Sequence, residues 1–120
     1  MNILPKNKFS LLALAWFALA WYALLKESSN NAPPPFAHFD KVMHLALFFA
    51  QIWLLARSFI HEQKAVPYRV LAVFGITFAV CSEIAQAMFT QTRTGSIADV
   101  VADIVGMALA LWLARKVSHA

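Results

Sequence analysis

The sequence predicts an all-α polytopic membrane protein, a bundle of four transmembrane helices with both termini in the cytoplasm. Three observations point there. Of 120 residues, 61% are hydrophobic and only 13% are charged, whereas an average soluble domain carries about 25% charged residues. The apolar residues gather into four runs of spanning length, for which about 20 residues are needed. No run shows the apolar and polar alternation of a strand. The length fits one domain, residues 1–120, under the prior of roughly 100–200 residues per domain. Disorder would need low hydrophobicity and high net charge, and a disulfide scaffold would need a partner for Cys81. The net charge of +4 does not indicate nucleic acid, because the basic residues are dispersed instead of lining one face.

The first span, residues 9–25, is uncharged and rich in Leu, Ala and Trp, with Lys6 and Lys8 ahead of it and Lys26-Glu27-Ser28-Ser29 behind. It also reads as a secretory signal peptide with Ala18-Leu19-Ala20 as the cleavage site, although its apolar run exceeds the usual core of about 7–15 residues. The second span, 42–60, holds His44 and Gln51, and Arg57 lies near one end, where its stem snorkels to the interface. The third, 70–89, carries Glu83 and Gln86. The fourth, 97–114, carries Asp99 and Asp103 and ends at Arg115-Lys116. A Pro-rich stretch over 26–39, a turn over 61–67 and a short link over 90–96 join them.

Lys and Arg concentrate in short cytoplasmic loops. One side of the four spans holds Lys6, Lys8, Arg57, Lys64, Arg69, Arg115 and Lys116, the other only Lys26, Lys41 and Arg93. The Pro-rich stretch and the 90–96 link therefore face outward. In that topology His44, Glu83, Asp99 and Asp103 all fall within about 10 Å of the outer interface, at a rise of roughly 1.5 Å per residue. Ionisable residues within spans are costly and are functional candidates by default.

Helical spacing pairs these residues. Asp40 and His44 are four apart, as are Asp99 and Asp103, while Glu83 and Gln86 are three apart, and such neighbours share a helix face. Hydrocarbon offers these faces no partner, so they turn inward. On span four, Ala98, Ala102, Gly106, Ala110 and Ala114 form a small-residue stripe, which lets helix backbones approach within the bundle or against a second copy of the chain. Gly95 permits a tight turn, and Ser96 is placed to cap span four with Asp99 three residues on. That cap is by itself a structural reason for Asp99.

Asp40-Lys41-Val42-Met43-His44 resembles the D-K-x-x-H opening of the VanZ-like membrane proteins, named after an accessory teicoplanin-resistance protein. Ser82-Glu83-Ile84-Ala85-Gln86 is similar to their S-E-x-x-Q element, and Arg93-Thr94-Gly95-Ser96-Ile97-Ala98-Asp99 to their R-x-G-S-x-x-D element, with Gly106 in the place of the closing glycine. The resemblance covers residues 40–106. It departs at Asp103, where the family commonly has Asn. It implies a small four-helix protein of the bacterial inner membrane, linked to the cell envelope and to lipoglycopeptide susceptibility, and it implies no reaction.

Three functional classes stay open. A binding protein would receive the head group of a membrane lipid, a lipid-linked cell-wall precursor or a teicoplanin-type lipoglycopeptide at an outward polar site of Asp40, Lys41, His44, Glu83, Gln86, Arg93, Ser96, Asp99 and Asp103. Cations and a helix N-terminus would hold its anionic groups. An intramembrane enzyme on a lipid-like substrate would use Glu83, His44 and Asp99 as acid and base groups, with Arg93 stabilising negative charge. A structural role would make the layer a hydrogen-bond network that fixes the bundle. No cofactor is expected; a divalent-metal version of the enzyme would draw on His44, Glu83, Asp99 and Asp103, whose ligand types suit a metal, but no H-x-x-x-H or C-x-x-C spacing supports one and no metal is expected.

Overall fold

In hydrocarbon a backbone N–H or C=O has no solvent partner, so apolar runs of this length satisfy their hydrogen bonds internally, as helices. The computed structural model describes residues 4–26, 39–89 and 97–118. They form α1 (Lys8–Leu25), α2 (Phe39–His61), α3 (Tyr68–Phe89) and α4 (Ile97–Ser118), with no strand among the described residues. All four helices are long and apolar enough to cross a membrane. At about 1.5 Å per residue, 22 residues reach about 33 Å against a hydrocarbon thickness near 30 Å.

All four helices outrun the expected spans, α2 and α4 by the most. α2 begins at Phe39, so Asp40 and Lys41 belong to its first turn, and α4 runs four residues past Ala114 to Ser118. Hydropathy marks where the hydrocarbon ends, not where helical hydrogen bonding ends. Arg115 and Lys116 in the last turn of α4 also favour continuation, because cations complement the negative end of a helix.

The helix ends are closed by local chemistry. Asn7 caps α1, its side chain accepting from the Phe9 and Ser10 amides while the Ser10 hydroxyl accepts from the Asn7 amide, a capping box. The side-chain Nδ2 of Asn7 donates to the Ser58 carbonyl and to Glu62 Oε2, at 2.9 and 2.6 Å. This ties the start of α1 to the end of α2. Glu62 lies outside the spans, and hydrogen bonds from Lys64 and then Asn7 hold its carboxyl below the usual range. The end of α2 is a Schellman turn: Lys64 N–H reaches the Phe59 carbonyl, Gln63 N–H reaches the Ile60 carbonyl, and Gln63 takes a positive φ of 58°.

α2 and α4 form the most extensive helix pair, and α1 docks on α2 while α3 docks on α4. Gly106 is buried against α2, where an added Cβ would drive into the Leu45 backbone. Ala110 and Ala114 continue that contact line in the core, whereas Ala98 is exposed. Polar threads fasten α1: Trp16 Nε1 donates to the Leu47 carbonyl at 3.0 Å, and Gln51 Nε2 donates to the Ala13 carbonyl at 3.2 Å. Phe17, Trp21, Phe48, Phe74 and Phe78 fill the middle, with Phe48 and Phe78 stacked at 4.7 Å. Outward positions stay apolar, among them Leu11, Leu14, Val70, Val73 and Trp112. Such a continuous apolar surface suits lipid and not water.

Candidate functional site

α2 and α4 start at the same end of the bundle, where α3 finishes, and this brings together residues far apart in sequence. His44 lies about one and a half turns into α2, Glu83 nearly two turns before the end of α3, and Asp99 and Asp103 in the first two turns of α4. The imidazole of His44 is the hub. Its Nδ1 lies 2.8 Å from Asp103 Oδ1 and 3.9 Å from Glu83 Oε1, and its Nε2 lies 3.8 Å from Asp99 Oδ2. Three carboxylates from two helices thus surround one histidine of a third. Asp103 is fully buried and His44 nearly so, while Glu83 and Asp99 keep 8% exposure each, so of the four groups only these two reach the surface at all.

Lys41 forms the rim. Its Nζ stands 3.9 Å from Asp99 Oδ1, and its side chain is 41% exposed. Beneath the site lies an aromatic floor, since Phe48 is one turn below His44 and Phe78 one turn below Ser82. The floor separates the polar layer from the lower half of the bundle. Short hydrogen-bonded carboxylate and imidazole groups in such a water-poor place interact strongly, and an unbalanced charge there is correspondingly costly. If all three carboxylates ionise, Lys41 and a protonated His44 leave these five described groups with a net charge of −1.

Of the expected site residues, the structure gathers Lys41, His44, Glu83, Asp99 and Asp103. Gln86 is fully buried but its Nε2 donates to the Leu24 carbonyl at 2.8 Å, so this amide ties the end of α1 to α3. Ser82 donates to the Ala79 carbonyl of its own helix at 2.9 Å. Asp40 lies in the first turn of α2. Arg93 and Ser96, with the rest of the 90–96 link, lie outside the described residues. Cys81 is exposed on α3, away from the imidazole hub. Two polar anchors went unread in the sequence: the Asn7 cap, signalled by Asn-x-x-Ser before an apolar run, and Ser58, whose hydroxyl donates to the Leu55 carbonyl.

Two cavities lie elsewhere. One, about 460 Å³ and apolar, runs between α1, α2 and α3 past Phe17, Gln51, Leu55 and Phe74; the other, about 610 Å³, sits at the opposite end beside Ile60, Lys64 and Tyr68.

In the comparison with protein families, the model described as VanZ/LLP1 matches residues 1–118 of the chain. Neither the curated proteins nor the solved structures gave a significant match.

Proposed function

The chain belongs to the VanZ/LLP1 family, and from that premise we propose that it binds the head group of a membrane lipid, a lipid-linked cell-wall precursor or a lipidated glycopeptide at the His44 cluster. The supporting observation is the placement of the polar layer. Its carboxylates and imidazole sit at one end of an otherwise apolar bundle, one side chain deep behind the Lys41 and Asp99 rim. Carboxylates there accept hydrogen bonds from sugar hydroxyls or ammonium groups, while Lys41, and Arg93 from the adjoining link, attract phosphate or carboxylate. Acyl chains then lie along the exposed apolar helix faces. The excess of basic residues at the terminal end supports an inner-membrane orientation with this site outward. In that position a protein that occupies or shields a lipid-tailed antibiotic, or its target, lowers susceptibility to it.

The test is native mass spectrometry of gently extracted protein, run beside growth in teicoplanin. Wild type is expected to carry a lipid or lipid-linked adduct, and Lys41→Ala to lose most of it. Wild type without any adduct, or Lys41→Ala and Asp99→Asn binding as well as wild type, overturns the reading.

A second reading, intramembrane acid–base catalysis on a lipid-like substrate, is favoured by one observation: His44 and Asp103 form a buried pair at 2.8 Å. A carboxylate that orients an imidazole is the arrangement by which a histidine moves protons. Turnover of labelled lipid precursors, lost in Glu83→Gln and His44→Ala with lipid binding kept, would distinguish it.

A further inference from the structure

We propose that His44, Asp103 and Glu83 bind one divalent transition-metal ion, with Asp99 orienting the imidazole from behind. One ligand atom from each of the three residues can be chosen so that all lie within 4.8 Å of one another. The ligands of one ion with bonds of about 2.0–2.2 Å stand about 3–3.5 Å apart, so the cluster closes on an ion by roughly an ångström of side-chain movement. His44 Nδ1 and Asp103 Oδ1, at 2.8 Å, are already near that separation, and an ion replaces the proton between them.

Two further observations support the site. Asp103 is completely buried, and its second oxygen, Oδ2, has no hydrogen-bond partner among the described residues. A buried carboxylate oxygen left in that state is expensive, and coordination of an ion relieves it. Asp99 Oδ2 lies 3.8 Å from Nε2, on the far side of the ring from Asp103. A histidine bound to metal through one nitrogen characteristically donates its other N–H to a carboxylate, which fixes the ring and raises its basicity.

The donor set selects the ion. One imidazole with carboxylates suits zinc, manganese or iron(II), whereas calcium and magnesium take oxygen ligands alone. Facing helices of a bundle commonly build such sites. The ligands come from α2, α3 and α4, which is why no short ligand spacing marks the site in the sequence.

The proposal is independent of lipid binding, and its test uses the metal alone. The full chain in detergent is stripped with a chelator and titrated with cobalt(II) and zinc, following the visible cobalt bands, the metal retained after desalting and the proton release that accompanies coordination. One ion per chain is expected. His44→Ala and Asp103→Asn should abolish the cobalt bands, and Asp99→Asn should weaken affinity by about tenfold or more while keeping them. His61→Ala, at the other end of α2, should bind as wild type does. Far-ultraviolet circular dichroism and thermal melting confirm that each variant folds. Should a variant fail to fold, stoichiometric binding with proton release in wild type, suppressed by a histidine-specific reagent in a background in which His38, His61 and His119 are all replaced by Ala, supplies the same evidence. Substoichiometric metal in wild type, or binding unchanged in folded His44→Ala and Asp103→Asn, overturns the proposal. Wild type that binds metal but carries no lipid adduct would count against the lipid reading alone.

Discussion

Asp103 is the residue on which the polar layer depends most. It is completely buried, and it holds His44 Nδ1 at 2.8 Å. Asp103→Ala strands the imidazole among the remaining acids and leaves a void. Removing one partner of a buried pair typically costs about 3–5 kcal/mol, so a marked fall in melting temperature in detergent is expected. Asp103→Asn keeps the volume and a carbonyl acceptor for Nδ1–H, and is expected to melt much closer to wild type. Equal melting of the two variants would mean that the pair is not what holds this layer. The spacing of Asp99 and Asp103 placed both on one face of α4 from sequence alone. The layer they share with His44 followed from depth along the helices, but which acid meets which ring nitrogen did not, because that depends on how α2 and α4 rotate about their axes. Gln86 shows the same limit: its spacing pairs it with Glu83, yet its amide serves the Leu24 carbonyl, a partner defined only by where α1 ends.

At the scale of helices, the two buried glycines make opposite demands. Gly106 faces backbone: a Cβ there meets the Leu45 carbonyl and Cα, which cannot step aside without moving α2. Gly75 faces the Met107 side chain, with Ile52 Cδ1 at 3.4 Å, and a methionine thioether adapts readily. Overpacking a close contact typically costs about 1–3 kcal/mol. Gly106→Ala is therefore expected to lower the melting temperature and loosen the His44 cluster, which sits on the same two helices. Gly75→Ala, which also gains helix propensity of about 1 kcal/mol, should be near neutral. Similar losses in both would refute the close α2 and α4 crossing. The stripe from Ala98 to Ala114 was visible in the sequence, but a four-residue period cannot say which positions meet a neighbour. In the bundle Gly106, Ala110 and Ala114 do so, and Ala98 does not. The helices themselves were legible because each is one apolar run; their polar ends were not, since Phe39-Asp40-Lys41 and Arg115–Ser118 continue the helix where hydropathy stops.

For the whole molecule, orientation decides what the site can meet. The His44 cluster lies at the end opposite the described start of α1 and end of α4. Seven of the ten Lys and Arg residues belong to that opposite end in chain order, and short-loop Lys and Arg stay in the cytoplasm. The cluster should then open to the outer leaflet. In a Cys81→Ala background, which removes the exposed native thiol of α3, Gly95→Cys should react in intact cells with an impermeant thiol reagent. Gln63→Cys, in the turn between α2 and α3, should react only after permeabilisation. The two substitutions report opposite ends of the same bundle, so expression level cannot mimic the pattern. The reverse pattern would place Lys41 and Asp99 on the cytoplasmic side. Lipids, precursors and metal ions of the inner compartment would then be the only ones within reach, and an effect on externally added glycopeptide would lose its physical basis.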